Sequence, residues 1–273
     1  MPRGGMRNWI AAALLAMALP CPAAASDLYT VNTITSGTAP ERRDIGFAQC
    51  LRDVVVRVTG NSRLLNEPRV AEQASHAGDM IASHTFRDRM GGIPIHDEQG
   101  SYDRPHDLTC VFDEGKLDAF LATLGSKPWR NRPLVVAVVA IRDMKGAGTM
   151  LADDSPEPRD RDMRTALLAA AARLALPLAL PTRDELVQAG LDPAAMAQAN
   201  PANLDRLAKA TRAGIALTGT VVWSDRDLGW VASWQLAGPA PHVSWGISGV
   251  GFDDAFRNAV AGAAQVLSGN EAP

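Results

Sequence analysis

The sequence predicts an α+β fold of two mixed-sheet α/β modules in tandem, with helices packed against each sheet. Three observations point there. An amphipathic helical pattern from Pro40 to Thr59 lies between two short strand patterns. The run Leu134 to Ile141 (LVVAVVAI) is continuously apolar and rich in β-branched residues, as in a strand buried on both faces. Three closely spaced strand patterns then precede one amphipathic helix at the C-terminus. The boundary is placed at Lys127-Pro128-Trp129-Arg130-Asn131-Arg132-Pro133, giving an N-terminal module over 26–131 and a C-terminal module over 132–273.

Each element has its own signal. Residues 28–34 (LYTVNTI) read as a strand. Pro40 can open the first helix and Gly60-Asn61 stops it. A second helix is expected from Pro68 to about Ala82, then a strand near His84 to Arg87 and a polar hairpin loop over 89–107. The strand 108–112 follows, and Asp113 can N-cap a helix whose apolar face is Leu117, Phe120, Leu121 and Leu124. Beyond the buried strand, the Asp/Pro-rich loop ADDSPEP leads into a helix from Arg159 to Ala175, and Leu178-Ala179-Leu180 is a short strand. Thr182-Arg183-Asp184-Glu185 is a capping box, and Asn200-Pro201 opens a further helix. Strands are expected at 214–223, 229–237 and 242–248. Phe252, Phe256, Ala259, Val260, Ala263 and Leu267 then make a helical stripe, expected to cover the face of Trp230, Ala232, Trp234 and Leu236.

Composition narrows the function classes. The 273 residues are 47% hydrophobic and 21% charged, which excludes collagen-like, broadly disordered and coiled-coil chains. A formal net charge of −3 leaves no basic footprint for a nucleic-acid backbone.

The N-terminus reads as an export signal. Arg3 and Arg7 precede an apolar run from Trp9 to Leu19, and Ala23 and Ala25 fit the −3 and −1 sites of a cleavage after Ala25. The run falls short of the roughly 20 residues that span a bilayer. Cys21 raises lipid attachment, but Pro20 fits poorly before a lipidated cysteine, so residues 1–25 are taken as a cleaved signal peptide and the protein as periplasmic. The mature chain would then begin at Ser26 with a charge of (27 − 2) − 30 = −5, and no later segment spans a membrane.

Removing Cys21 leaves Cys50 and Cys110, an even count in an oxidising compartment. Both lie on faces directed at one core, so they form either a structural disulfide or two buried thiols.

Several stretches resemble the proteobacterial domain of unknown function 2066 family: DLYTV (27–31), CLRDVVVRVTGNSRLL (50–65), VFDEGKLDAFLATLG (111–125), PWRNRPLVVAVVAI (128–141), LALPLALPTRDE (174–185) and GIALTGTVVWSDRDLGWVASWQL (214–236). The resemblance implies an exported protein and assigns no activity. Ala175 departs from it, since Gly is expected before the LPLALP strand. Residues 133–237 are also similar, at the level of fold, to the small α/β modules of periplasmic assembly factors, which bind other proteins.

No catalytic motif emerges. His96-Asp97-Glu98 and Asp103…His106-Asp107 share one loop, but without H-e-x-x-H or paired C-x-x-C spacing they read as solvated. His76, His84 and His242 lie apart from that loop. Gly246-Ile247-Ser248-Gly249 stops short of a nucleophile elbow because position 250 is Val. The acid pairs Asp160/Asp162 and Asp225/Asp227 suit a helix N-terminus and a hairpin turn. Four tryptophans cluster within 223–245: Trp223, Trp230, Trp234 and Trp245. Exposed, they would stack on sugar rings; under the C-terminal helix, they are core.

The sequence therefore reads as an exported non-enzymatic protein, without metal or cofactor, that binds another envelope protein. The alternatives are a glycan-binding module using the tryptophans and an unrecognised hydrolase.

Overall fold

The structure, a computed structural model, describes residues 28–92, 103–193, 200–237 and 243–270. It is α+β, built on two sheets. The signal segment, Cys21, His96-Asp97-Glu98 and His242 lie outside the described residues.

The first sheet has three antiparallel strands in the order β1 (Thr30–Ser36), β3 (Pro105–Phe112), β2 (Ile81–Asp88). Helix α1 (Pro40–Thr59) covers its inner face, starting at Pro40 and ending at Gly60, whose φ of 71° is a left-handed C-cap. α1 contributes Phe47, Cys50, Leu51, Val54, Val55 and Val58, and β3 contributes Leu108, Cys110 and Phe112. Each fully buried Val or Leu side chain stabilises by about 1.5–3 kcal/mol. Cys50 and Cys110 are completely buried and their Cα atoms are 6.5 Å apart, within the span of a bridge.

The helix expected from Pro68 to Ala82 is shorter than its pattern. α2 (Pro68–Ala74) ends where the Ser75 hydroxyl donates to Glu72 O at 2.6 Å. A 3₁₀ turn, Ala77–Met80, then buries Ala77 and Met80, and β2 begins at Ile81. The Asp113 N–H donates to Met80 O at 2.8 Å, so a carbonyl that a helix ending at Ala82 would leave unpaired has a tertiary partner. Asp113 caps α3 (Glu114–Thr123), its side chain accepting from the Lys116 N–H at 2.9 Å.

The second sheet is built around β4 (Val135–Arg142), in which Val135 through Ile141 are all buried. β4 runs parallel to β6 (Leu178–Ala179) and β7 (Ile215–Ser224); β7, β8 (Gly229–Ala237) and β9 (Val243–Val250) continue antiparallel. β5 (Gly148–Met150), a segment for which the sequence offers no strand pattern, pairs antiparallel with Ala140–Arg142. Three residues are too few to show a period of two.

Alternation along β4 separates two cores. Val135, Ala137, Val139 and Ile141 meet α4 (Pro158–Arg173) and α7 (Phe252–Leu267). Val136, Val138 and Ala140 meet α5 (Arg183–Ala189) and α6 (Pro201–Ala210). α7 lies over the tryptophan face: Phe256 is fully buried, and its ring centroid is 6.1 Å from that of Trp234, itself 2% exposed. Trp234 is seated opposite Gly219, and Trp245 lies over Gly262; a Cβ at either glycine would collide with the indole.

Candidate functional site

Where α1, the connector after α3, α4 and α7 converge, the two sheets meet through groups that satisfy helix ends. The last carbonyls of a helix have no partner within it and carry the negative end of its dipole. Arg57, on the last turn of α1 and 7% exposed, donates from Nη1 to Ala172 O at 2.6 Å and Arg173 O at 2.8 Å. Its Nε donates to Leu28 O at 3.2 Å. Arg132 donates from Nη2 to Arg57 O at 2.5 Å and from Nη1 to Leu174 O. Two guanidiniums thus cap the C-terminal ends of α1 and α4. Burial, and then the charge of Arg57, push Arg132 down to about 10, so it stays charged at neutral pH.

The connector is pinned beside them. The Trp129 N–H donates to Val58 O at 2.8 Å, and the Arg132 guanidinium lies 4.4 Å above the Trp129 ring. Arg130 donates to Glu114 at 2.5 Å and to the Tyr29 hydroxyl at 3.1 Å. That hydroxyl donates to Asp118 at 2.7 Å; burial, then the Asp118 carboxylate, raise the phenol above its ordinary value. Further along, Ser62 Oγ donates to Gln265 Oε1 at 2.7 Å, and Asn61 Nδ2 donates to Asn270 Oδ1 at 3.2 Å. Ser268 packs so closely against Gly60 that a Cβ there would collide with it.

A cleft of about 490 Å³ opens at this junction. Thr30, Val31 and Asn32 of β1 form one wall, Ala169, Ala172 and Arg173 of α4 the other, and Asp53 and Arg57 of α1 complete the lining. Arg173 reaches Asp53 with both carboxylate oxygens at 2.8 and 2.9 Å. A smaller cavity of about 250 Å³, more apolar, shares Asp53 and Arg173 and extends to Leu65, Leu174 and Ala261.

Ala175 is part of the same junction. Its φ of 51° is left-handed, the conformation that favours Gly and explains why Gly is expected there. Its side chain packs against the core of the first sheet, a contact Gly would lack.

The candidate site residues from sequence lie elsewhere. All four clustered tryptophans share the sheet face beneath α7: Trp234 is buried, Trp230 and Trp245 are partly buried against the same core, and Trp223 meets Trp230 edge-on at 5.6 Å. Trp223 Nε1 donates to Asp225. Asp103 pairs with Arg42, Asp107 with Arg87, and His106 Nδ1 lies 2.8 Å from Arg104 O. Among the described residues no group of His, Cys, Asp and Glu is arranged to hold a metal. Gly249, at φ 70°, lies within β9 at the register shift between the Trp230–Val250 and Ala232–Ile247 pairs. Sequence reasoning missed Asp53, Arg57, Arg132 and Arg173. One signal was present: Arg57 interrupts the apolar run Val54-Val55-Val56 and Val58.

Fold and site together define an α+β protein of two sheets clasped by arginine-capped helix ends, with an open cleft at the clasp. A family model described as Domain of unknown function (DUF8605) matches residues 23–130; domain of unknown function 2066, the family that the sequence stretches resemble, is not the one matched. The match covers the described elements of the first sheet and ends within the connector. No curated protein matches. Among solved structures, the C-terminal domain of LpoB from Salmonella enterica is similar at 12% identity and a TM-score of 0.24, over 42% of this chain and 82% of that one. A likeness at that score carries no argument about activity.

Proposed function

We propose that this chain is an exported, non-enzymatic periplasmic protein that acts by binding another envelope protein, with modules over 26–131 and 132–273. The observation that carries this reading is the junction cleft. β1 of the first sheet and α4, which packs on the second, wall it, and its buried arginine is committed to main-chain carbonyls, an arrangement that holds a fixed groove. The N-terminal pattern around Arg3, Arg7, Ala23 and Ala25 supports export with cleavage before Ser26. The proximity of Cys50 and Cys110 supports a disulfide that forms in an oxidising compartment.

Two measurements test the reading. N-terminal sequencing of the protein from an envelope fraction should begin at Ser26; an intact Met1 or a lipid-modified Cys21 overturns the address. Photo-crosslinking in intact cells, from a benzoyl-phenylalanine placed in turn at Ile34, Val187 and Ser248, should yield an adduct with another envelope protein from at least one position. No adduct from any of the three overturns the interaction role.

A further inference from the structure

We propose that the exposed edge of β1 takes up an extended, acidic peptide segment of a second protein as an added strand, seated between β1 and α4. This rests on the protein-binding reading above and names its site and the chemistry of its partner.

The backbone sets the kind of occupant. β1 pairs only with β3 among the described strands. The Phe112 N–H donates to Tyr29 O at 3.0 Å, which fixes the phase of the ladder. Odd residues such as Val31 and Thr33 therefore bond toward β3, while Asn32 and Ile34 turn their N–H and C=O groups to the other side. A row of main-chain donors and acceptors at this spacing is matched by another extended strand.

The opposite edge of this sheet is defended. β2 carries His84, Arg87 and Asp88, and a register shift between Ile81 and Ser83. β1 reads Thr-Val-Asn-Thr-Ile-Thr-Ser, with no charge, no proline and an unbroken register, and Ile34 is 57% exposed. Charges and bulges are the usual means of blocking strand addition, and β1 has neither.

The cleft has the size of an added strand. A strand residue occupies about 160 Å³, from a rise of about 3.3 Å, a strand spacing of about 4.8 Å and a layer thickness of about 10 Å. The cleft of about 490 Å³ therefore holds about three residues, and three residues of β1, Thr30 to Asn32, form its wall. The α4 wall, Ala169 and Ala172, is small and exposed, leaving room for side chains from the incoming strand. The lining carries two guanidiniums, Arg57 and Arg173, and one carboxylate, Asp53, in a chain of net charge −3. Arg57 is committed to main-chain carbonyls, but Arg173 holds Asp53 through Nη2 alone and its side chain is about half exposed, so its guanidinium is the group that favours a carboxylate on the incoming segment.

The test uses the mature protein and two amide-capped heptapeptides, Thr-Val-Thr-Asp-Thr-Val-Thr and its counterpart with lysine in place of aspartate. With the aspartate peptide in excess, amide hydrogen exchange at Asn32 and Ile34 should slow at least tenfold, while Val31 and Thr33 stay unchanged. The lysine peptide should bind at least threefold more weakly. Asn32→Pro removes an edge N–H at a position where an edge strand tolerates proline, and Ala172→Trp fills the cleft from the other wall; each should abolish the slowing. No slowing at Asn32 and Ile34 at millimolar peptide overturns the proposal, as does equal binding of the two peptides. Slowing that is present without peptide and lost on dilution assigns the edge to a second copy of the chain and overturns it too. An adduct in cells from Val187 or Ser248, without exchange protection here, defeats this site while leaving the interaction role intact.

Discussion

The first sheet keeps one face against a single long helix and turns the other to water, whereas β4 in the second is covered on both sides. On β1 and β3 the two faces alternate, with Val31, Leu108 and Cys110 inside and Asn32, Asp107 and Thr109 outside. On β4 every residue from Val135 to Ile141 is buried, odd positions facing α4 and α7 and even positions facing α5 and α6. One-sided burial suits a small antiparallel sheet, and two-sided burial goes with parallel strands. The difference teaches where each half draws its stability. The second has two cores of its own, while the first has one, supplemented by the Cys50–Cys110 proximity and by the clasp. Packing at the junction therefore matters more to the first sheet.

The comparison breaks first at Phe256. Phe256→Ala should cost about 3–5 kcal/mol in urea unfolding, as for a large aromatic removed from a core, and should make the tryptophans accessible to iodide quenching. A near-neutral variant with tryptophans already quenched in the wild type would remove α7 from its place over the sheet. Replacing Cys50 and Cys110 together by serine should cost about 4 kcal/mol on the chain-entropy account, for a separation of 60 residues. That loss should fall on the first sheet: exchange should accelerate in β1 and β3 and stay slow in β4.

At the clasp, Arg57→Met should cost about 2–3 kcal/mol, because it leaves Ala172 O and Arg173 O without their charged donor. A single unfolding transition should then split in two, the first sheet melting earlier, as circular dichroism with site-resolved exchange would show. Asp53→Asn removes the paired contact to Arg173, whose side chain is about half exposed, and should cost about 1 kcal/mol or less. Smallest of all is Ala175→Gly. Relief of left-handed strain, about 1–2 kcal/mol, is opposed by the lost methyl contact, about 0.8 kcal/mol, and by the greater freedom of Gly in the unfolded chain. Thermal unfolding should move by about 0.5 kcal/mol or less; a large loss would mean that the Ala175 contact dominates the junction.

Local signals carried much of the fold. Pro40 and Gly60 bound α1, Asp113 caps α3, the Thr182–Glu185 box opens α5 and Asn200 caps α6, each by a hydrogen bond or a backbone angle within a few residues. The uninterrupted apolar run of β4 marked burial on both faces, and the stripe of α7 marked a buried side. Periodicity of this kind reports that a face is buried and is silent about what buries it.

The tertiary structure decided the rest. Helix α2 stops early because Met80 is drawn into the core and its carbonyl finds Asp113. Trp234 is seated only because Gly219 across the ladder leaves room for it. Arg57 meets Ala172 O across 115 residues of chain, and Arg132 meets Arg57 O across 75, so nothing near either arginine in sequence identifies its partner. The sequence by itself determined which segments are helix or strand and which of their faces are apolar, because capping and periodicity are local. Only the folded chain decided which helix ends meet, because the carbonyls they leave unsatisfied can be paired by any donor that folding brings within reach.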